Sequence, residues 1–273
     1  MTIPFQQFSF ERAVRGIASA GFRFIAWGPN QTDSSKRSTP VIAPDAGADR
    51  ARELIAVCRE SGLETVLMFA SFYPENPGAV DAHKRRIDQA QAARIPNLLV
   101  FGSPKSTDEH RPAFVRTLHE IADHARQANV TIAVKQHGGV TATGELTASV
   151  VRELNHPSVV VFYDAGNTWW YPNVDANADF TKCASMTRGF AIKDFRVYGG
   201  QRATCGPGYG QTDHYAMLGA VANNGGKIPL CCENISEPFV PRPTTPEAVD
   251  TLARRAKDFL DAVVRGVTVT RKG

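Results

Sequence analysis

Residues 131–137 read TIAVKQH. The run is β-branched and apolar, too short for a typical helix, and ends in a lysine, a glutamine and a histidine. That composition predicts a buried strand with Lys135 at its carboxyl end. Two later stretches have the same form: 159–164, VVVFYD, ends in Asp164, and 228–233, IPLCCE, ends in Glu233. Near-continuous apolar strands imply a parallel sheet covered by helices. One cation and two anions at their ends imply a charged pocket.

Four more strand candidates, 22–27, 64–69, 97–101 and 189–193, surround these three. Between them lie helical patterns at 10–20, 46–61, 79–93, 111–129, 144–154, 213–223 and 246–264. Ser9, Asp45, Thr143, Thr212 and Thr245 stand where helix-capping side chains belong, and Gly21 and Gly62 where left-handed helix ends favour glycine. An eighth strand, first in order, would have to come from MTIPFQQF at 1–8, which leaves room for only a short one. Eight βα units in about 250 residues predict a TIM barrel. A doubly wound open sheet is the alternative, but no GxGxxG follows the first strand and the spacing is even. No linker or low-complexity stretch divides the chain, so the expectation is one α/β domain, a single (β/α)8 barrel over residues 1–273. The loops after strands are long, at 28–44, 70–78, 102–110, 137–142, 165–173, 194–211 and 234–244. In a barrel they share one face, where active sites are built.

Composition narrows the function. At 42% hydrophobic and 21% charged, the chain has the make-up of an ordinary globular protein. Its net charge of +4 is spread out, and the clusters Lys84-Arg85-Arg86 and Arg254-Arg255 read as solvated helix faces, so nucleic acid is not expected as a partner. Five cysteines without a CxxC fit free thiols in a reducing cytoplasm. The amino terminus lacks the pattern of a secretory signal, and no apolar run approaches the ~18 residues of a membrane span.

A lysine in a buried strand is costly unless paired. Lys135 is therefore expected to turn inward and pair with Asp164, Glu233 or both; the alternative is an outward lysine snorkelling between helices. His137 is either a proton shuttle or a turn residue. Lys193 and Asp194 end FAIKD, and at most one of two adjacent strand residues projects inward; a structural ion pair between them is the alternative reading. The loop 199–214, GGQRATCGPGYGQTDH, carries Arg202, His214 and five glycines, but matches no P-loop spacing. Trp169, Trp170 and Tyr171 form an aromatic cluster suited to stacking on a sugar ring, or to packing the loop.

The runs VKQHGGVTATGEL, NHPSVVVFYDAGNTWWY, FAIKDFR, GPGYG and LCCEN resemble, in order and spacing, the sugar phosphate isomerase/epimerase family of xylose isomerase-like TIM barrels. The resemblance covers residues 9 to 265. It implies an eight-stranded barrel and a pocket for small polyols or keto-sugars. Typical members hold a divalent metal through Glu, Asp, His and Glu at strand ends, and the matching positions here are Lys135, Asp164, Ala191 and Glu233. The glutamate of the family's G-E-G loop is replaced by Pro207. A divalent ion (Mn, Mg or Zn) would have only Asp164 and Glu233 for ligands, beside an ammonium that repels it. The expectation is an enzyme without a metal cofactor, in which Lys135 neutralises the two acids and takes the metal's place.

The resulting expectation is a cytoplasmic isomerase, epimerase or carbon–oxygen lyase of carbohydrate metabolism. It would transfer a proton next to a carbonyl of a small-molecule carbohydrate, alone or as a homo-oligomer. Glu233 is the candidate base, Lys135 the enediolate stabiliser, His137 the acid partner and Asp164 the orienting group. Trp169, Lys193, Asp194, Arg202 and His214 are candidate substrate contacts. A sugar-metabolite-binding pseudoenzyme is the alternative from another class.

Overall fold

The computed structural model describes residues 1–222 and 227–269. After a 3-10 turn at Ile3–Phe5 come α1 (Phe10–Ser19), β1 (Phe24–Trp27) and a small hairpin of β2 (Asn30–Thr32) and β3 (Ser38–Pro40). Regular alternation follows: α2 (Ala48–Glu60), β4 (Glu64–Phe69), α3 (Ala79–Ala93), β5 (Asn97–Val100), α4 (Arg111–Gln127), β6 (Thr131–Lys135), α5 (Gly144–Leu154) and β7 (Val159–Tyr163). The last third holds α6 (Ala165–Trp170), α7 (Ala176–Phe180), β8 (Thr187–Ile192), a hairpin of β9 (Asp194–Tyr198) and β10 (Gln201–Cys205), α8 (His214–Val221), β11 (Leu230–Cys232) and α9 (Pro246–Val269).

Seven parallel strands run in the order β1-β4-β5-β6-β7-β8-β11 and curl into a nearly closed TIM barrel, with the helices outside. Two apolar layers hold it together. Ala26, Leu67, Leu99, Ala133, Phe162, Ala191 and Cys231 fill the barrel interior. Their strand neighbours, such as Ile132, Val134, Val161, Tyr163 and Ile192, pack outward against the helices. The period of two along a strand then decides which way the charged ends point. Lys135, Asp164, Lys193 and Glu233 each lie two residues beyond an inward residue (Ala133, Phe162, Ala191 and Cys231), so all four aim into the carboxyl-end mouth.

The eighth strand expected before Ser9 does not form. Residues 3–5 wind into a 3-10 turn with Pro4 in its first turn, and only Met1 and Thr2 enter the seam between β11 and β1. Of the predicted caps, Ser9 and Thr143 accept from Arg12 N and Leu146 N. Asp45 and Thr212 do not cap. Gly47 occupies the N-cap of α2, and Asp213 caps α8 by accepting from Ala216 N at 2.9 Å. The predicted helix end at Asn223 lies outside the described residues. Gly21 and Gly62 adopt φ of +88° and +74°, as their places after helices demand.

Arg86 corrects the solvated-face reading of its cluster. It is buried, donates to the carbonyls of Ala70 and Ile42 and to Gln89, and ties the loops after β4 and β3 to α3. Burial lowers its pKa to about 10. The five cysteines are free and buried. Among the described residues, no helix is long and apolar enough to cross a membrane.

Candidate active site

Four charges close on one another at the mouth. Lys135 Nζ lies 2.6 Å from Glu233 Oε2 and 3.1 Å from Asp164 Oδ2. Lys193 Nζ lies 2.7 Å from Glu233 Oε1 and 3.2 Å from the same Asp164 Oδ2. Two ammoniums and two carboxylates thus alternate in a ring of zero net charge. The side chains of Lys135 and Asp164 are 1% and 0% exposed; those of Lys193 and Glu233 are 8% and 13% exposed, so the ring opens on their side. Lys135 sits 5.8 Å and 5.3 Å over the rings of Phe69 and Phe101, whose faces suit a cation. The stem of Lys193 runs over Gly166, where a Cβ would stand 2.5 Å from Lys193 Cγ.

Burial and pairing compete at each group. Burial pushes the Glu233 carboxyl up, but Lys135 and Lys193 together outweigh it and hold the group well below the usual carboxylate range. At Asp164, fully enclosed, burial wins over the two lysines and raises the carboxyl. Burial disfavours the Lys193 ammonium, yet Asp164 and Glu233 more than compensate and raise it. Asp164 also caps α6, its Oδ1 accepting from Asn167 N at 2.9 Å. Its own N–H donates to Gln136 Oε1 at 2.8 Å, and Asn167 Nδ2 donates to Gln136 O.

His137 lies beside the ring without joining it. Its Nδ1 faces Gly102 O at 3.2 Å, and a carbonyl can only accept, so Nδ1 carries the proton and Nε2 faces Tyr171 OH at 3.5 Å. Its ring packs on Phe101 and Tyr171 at centroid distances of 4.4 and 5.3 Å. Burial, and then the charge of Lys135, lower its pKa to about 4, so it is neutral at pH 7.

The remaining candidates form a second assembly. Lys193 and Asp194 do not pair with each other, because adjacent residues face opposite ways. The Asp194 carboxylate instead accepts from the N–H groups of Phe195, Gly208, Gly210 and Thr212, with His214 Nε2 at 3.7 Å. The glycine-rich loop therefore does cradle an anion, and that anion is Asp194. Arg202, on β10, donates to the carbonyls of Trp169 and Trp170 and lies over the rings of Trp170 and Phe195. Trp169 stacks on Phe195 at 5.8 Å. Trp169, Asp194, Arg202 and His214 thus brace the wall around the mouth, apart from the four-charge ring.

The sequence did not single out Phe101, Tyr73, Gln136 or Asn167 around the mouth. Only their positions just after strand ends marked them. Lys193 joins the ring because β8 turns Ala191 inward, two residues before it. A cavity of about 1020 Å³ lies away from the ring, at the barrel's amino end; it has no residue in common with the four charges.

A family model described as "Xylose isomerase-like TIM barrel" matches residues 14–260. The chain belongs to that family. No curated protein matches the sequence. Among solved structures with the same fold, an L-ribulose 3-epimerase has 14% identity and a TM-score of 0.73, covering 99% of this chain and 95% of its own. The D-psicose 3-epimerase of Clostridium cellulolyticum H10, with D-tagatose bound, has 14% identity and a TM-score of 0.68, covering 93% of this chain and 94% of its own. A xylose isomerase-like TIM barrel protein from Mycobacterium smegmatis, in complex with magnesium, has 13% identity and a TM-score of 0.71, covering 93% and 89%.

The divalent metal implied by the family resemblance does not suit the residues present. Lys135 Nζ occupies the space between the two carboxylates, and Ala191 offers no ligand atom. Among the described residues, no three His, Cys, Asp or Glu side chains come together to hold an ion. The carboxylate oxygens that would face an ion are already paired to the two ammoniums, whose charge repels a cation.

Proposed function

We propose that this protein is a sugar isomerase/epimerase-like enzyme that moves a proton next to the carbonyl of a keto-sugar or polyol, without a metal, by isomerisation, epimerisation or β-elimination. The observation that carries the reading is the ring of Lys135, Asp164, Lys193 and Glu233 at the mouth of a barrel of this family. Each ammonium has three N–H donors and spends one in a hydrogen bond to Glu233, while Asp164 Oδ2 is held by both as an ion-pair contact at 3.1 and 3.2 Å. The remaining donors can serve a substrate oxygen, where negative charge develops as the neighbouring carbon loses its proton.

Glu233 is the base in this reading. At rest both its oxygens are paired and it is a weak one. A substrate oxygen that draws Lys193 away frees Glu233 Oε1 and restores its basicity at the moment of need. Glu233 then takes the proton from carbon, while Lys135 and Lys193 hold the oxyanion; in isomerisation or epimerisation a proton is returned to carbon, and in β-elimination an ammonium protonates the departing hydroxyl, which leaves as water. Asp164 keeps both ammoniums in place. His137, being neutral, orients the substrate through hydrogen bonds and leaves acid catalysis to the ammoniums. Imine chemistry at either lysine is disfavoured, because it needs an unpaired neutral amine.

The test is deuterium exchange. Ketopentoses, ketohexoses and cyclic keto-polyols incubated in D2O with the chelator-treated protein should gain deuterium beside the carbonyl, and Glu233→Gln should abolish the gain. Borohydride should trap no adduct. Activity that appears only on adding Mn, Mg or Zn ions would refute metal-free chemistry. One observation favours a second reading, a non-catalytic binder of a sugar metabolite: both Glu233 oxygens are already occupied. Saturable binding of these compounds without exchange of any stereoisomer would establish that alternative.

A further inference from the structure

One peptide group beside the mouth is gripped from both ends. The carbonyl of Gly102 accepts from His137 Nδ1 at 3.2 Å. The N–H of the same peptide, on Ser103, donates to Glu75 Oε1 at 2.6 Å. Glu75 lies in the loop after β4, the peptide in the loop after β5 and His137 in the loop after β6. A carboxylate, an amide and an imidazole thus link three neighbouring loops. The second oxygen of Glu75 is buried and has no hydrogen-bond partner among the described residues, so the hold of Glu75 falls on this one N–H.

The surroundings leave the peptide little freedom. Ser106 donates its N–H and its hydroxyl to Ser103 O, at 3.0 and 2.7 Å, and its Oγ accepts from Val140 N at 3.0 Å. A Cβ on Gly139 would stand 2.3 Å from Ser103 O, so the loop after β6 presses directly on the loop after β5. On the other side, Thr117 of α4 donates its hydroxyl to Pro74 O at 2.8 Å and anchors the residue before Glu75.

A hydrogen bond to a charged acceptor polarises the amide that donates it, and the carbonyl of that amide becomes a better acceptor. The imidazole tautomer with its proton on Nδ1 is favoured accordingly. In the other tautomer, lone pairs of Nδ1 and of Gly102 O would face each other. Nε2 is then a bare acceptor, with Tyr171 OH at a long 3.5 Å. The groups at the mouth are complementary: the ammoniums of Lys135 and Lys193 only donate, and His137 Nε2 only accepts.

We infer that Glu75 is a positioning residue, acting through the Gly102–Ser103 peptide to hold His137 in its Nδ1–H tautomer, and that His137 Nε2 thereby selects a keto-sugar with a free hydroxyl at the position it meets. A carbonyl, ether or ester oxygen placed there would set lone pair against lone pair. The ketose then lies one way round, its carbonyl toward the ammoniums and a hydroxyl toward the imidazole. The selection rests on the keto-sugar chemistry proposed above; the relay from Glu75 to His137 does not.

Nitrogen-15 NMR of the full chain, labelled in its histidine rings, reads the relay without substrate, and His137→Gln assigns the signal. The wild type should carry the proton on Nδ1 of His137. Glu75→Ala should give a mixture of tautomers. Glu75→Gln, which keeps an acceptor for the Ser103 N–H, should restore the single one. A proton on Nε2 in the wild type, or an unaltered tautomer in Glu75→Ala, would overturn the relay. Calorimetry with the ketopentoses and ketohexoses of the exchange assay, and with their deoxy and O-methyl counterparts, reads the selection. Loss of one hydroxyl beside the carbonyl should weaken binding to the wild type about tenfold, and less in Glu75→Ala. Counterparts that bind the wild type as tightly as the parent sugars would overturn the selection. Tautomers that respond as expected while no ketose binds would sink the keto-sugar reading and its selection, and leave the relay standing.

Discussion

Lys135→Met removes one ammonium from the ring and leaves two carboxylates sharing Lys193. The lost contacts are 2.6 Å to Glu233 and 3.1 Å to Asp164. At an effective dielectric of about 20 they are worth about 6 and 5 kcal/mol. Methionine needs no desolvation, and the ammonium's own penalty of several kcal/mol is recovered. A net loss of about 3–5 kcal/mol remains, the usual cost of stranding a buried charge. For a chain of this size that lowers Tm by about 10 °C. Adding Glu233→Gln restores neutrality, with Lys193 still 3.2 Å from Asp164, and should recover more than half of the loss. Thermal unfolding followed by circular dichroism measures both variants. If Lys135→Met costs less than about 1 kcal/mol, or if the second substitution adds to the damage, Lys135 is not the counter-charge of two ionised acids and the reasoning fails.

The Glu233 carboxyl is held below its usual 4.5, so its contribution to stability is fully present above that pH and is lost as pH falls further. Denaturant titrations should show stability dropping steeply below pH 4.5, and Glu233→Gln should flatten that limb; a parallel curve for the variant would count against the pairing. His137 is depressed from 6.5 to about 4, so the unfolded chain binds the extra proton between those values. Stability should therefore rise with pH from 4 to 6.5, and His137→Phe should remove this slope. Asp194→Asn should leave the ring intact but release the loop at 206–212, seen as faster amide exchange at Gly208, Gly210 and Thr212; unchanged exchange would show that the carboxylate does not organise the loop. Gly166→Ala places a methyl against the Lys193 stem and should cost about 1–3 kcal/mol by overpacking. It should weaken substrate binding more than Lys135-directed contacts do, and undiminished affinity would argue that Lys193 does not meet the ligand.

The sequence determined the barrel and much of its mouth. Seven apolar runs at even spacing specify parallel strands, because each must be buried on both faces. Lys135, Asp164 and Glu233 were legible at the ends of three of them, since a charge closing an apolar strand has nowhere to go but a polar mouth. Local capping was legible to within a residue or two: Ser9 and Thr143 cap their helices, while α8 starts one residue later than expected and the neighbouring Asp213 accepts from Ala216 N in place of Thr212.

Tertiary structure alone decided the rest. Whether Lys193 joined the ring or paired with Asp194 depended on where β8 begins and which of its faces turns inward. That inward face is fixed by packing of Ala191 against other strands. That the glycine-rich loop closes on Asp194 is a contact between segments joined only in space. The missing eighth strand is also a tertiary fact: Met1–Thr2 bond across the seam, and Pro4 turns the chain away before a strand can form. Periodicity records which residues prefer burial, whereas the partners that a buried charge finds are set by strands distant in sequence.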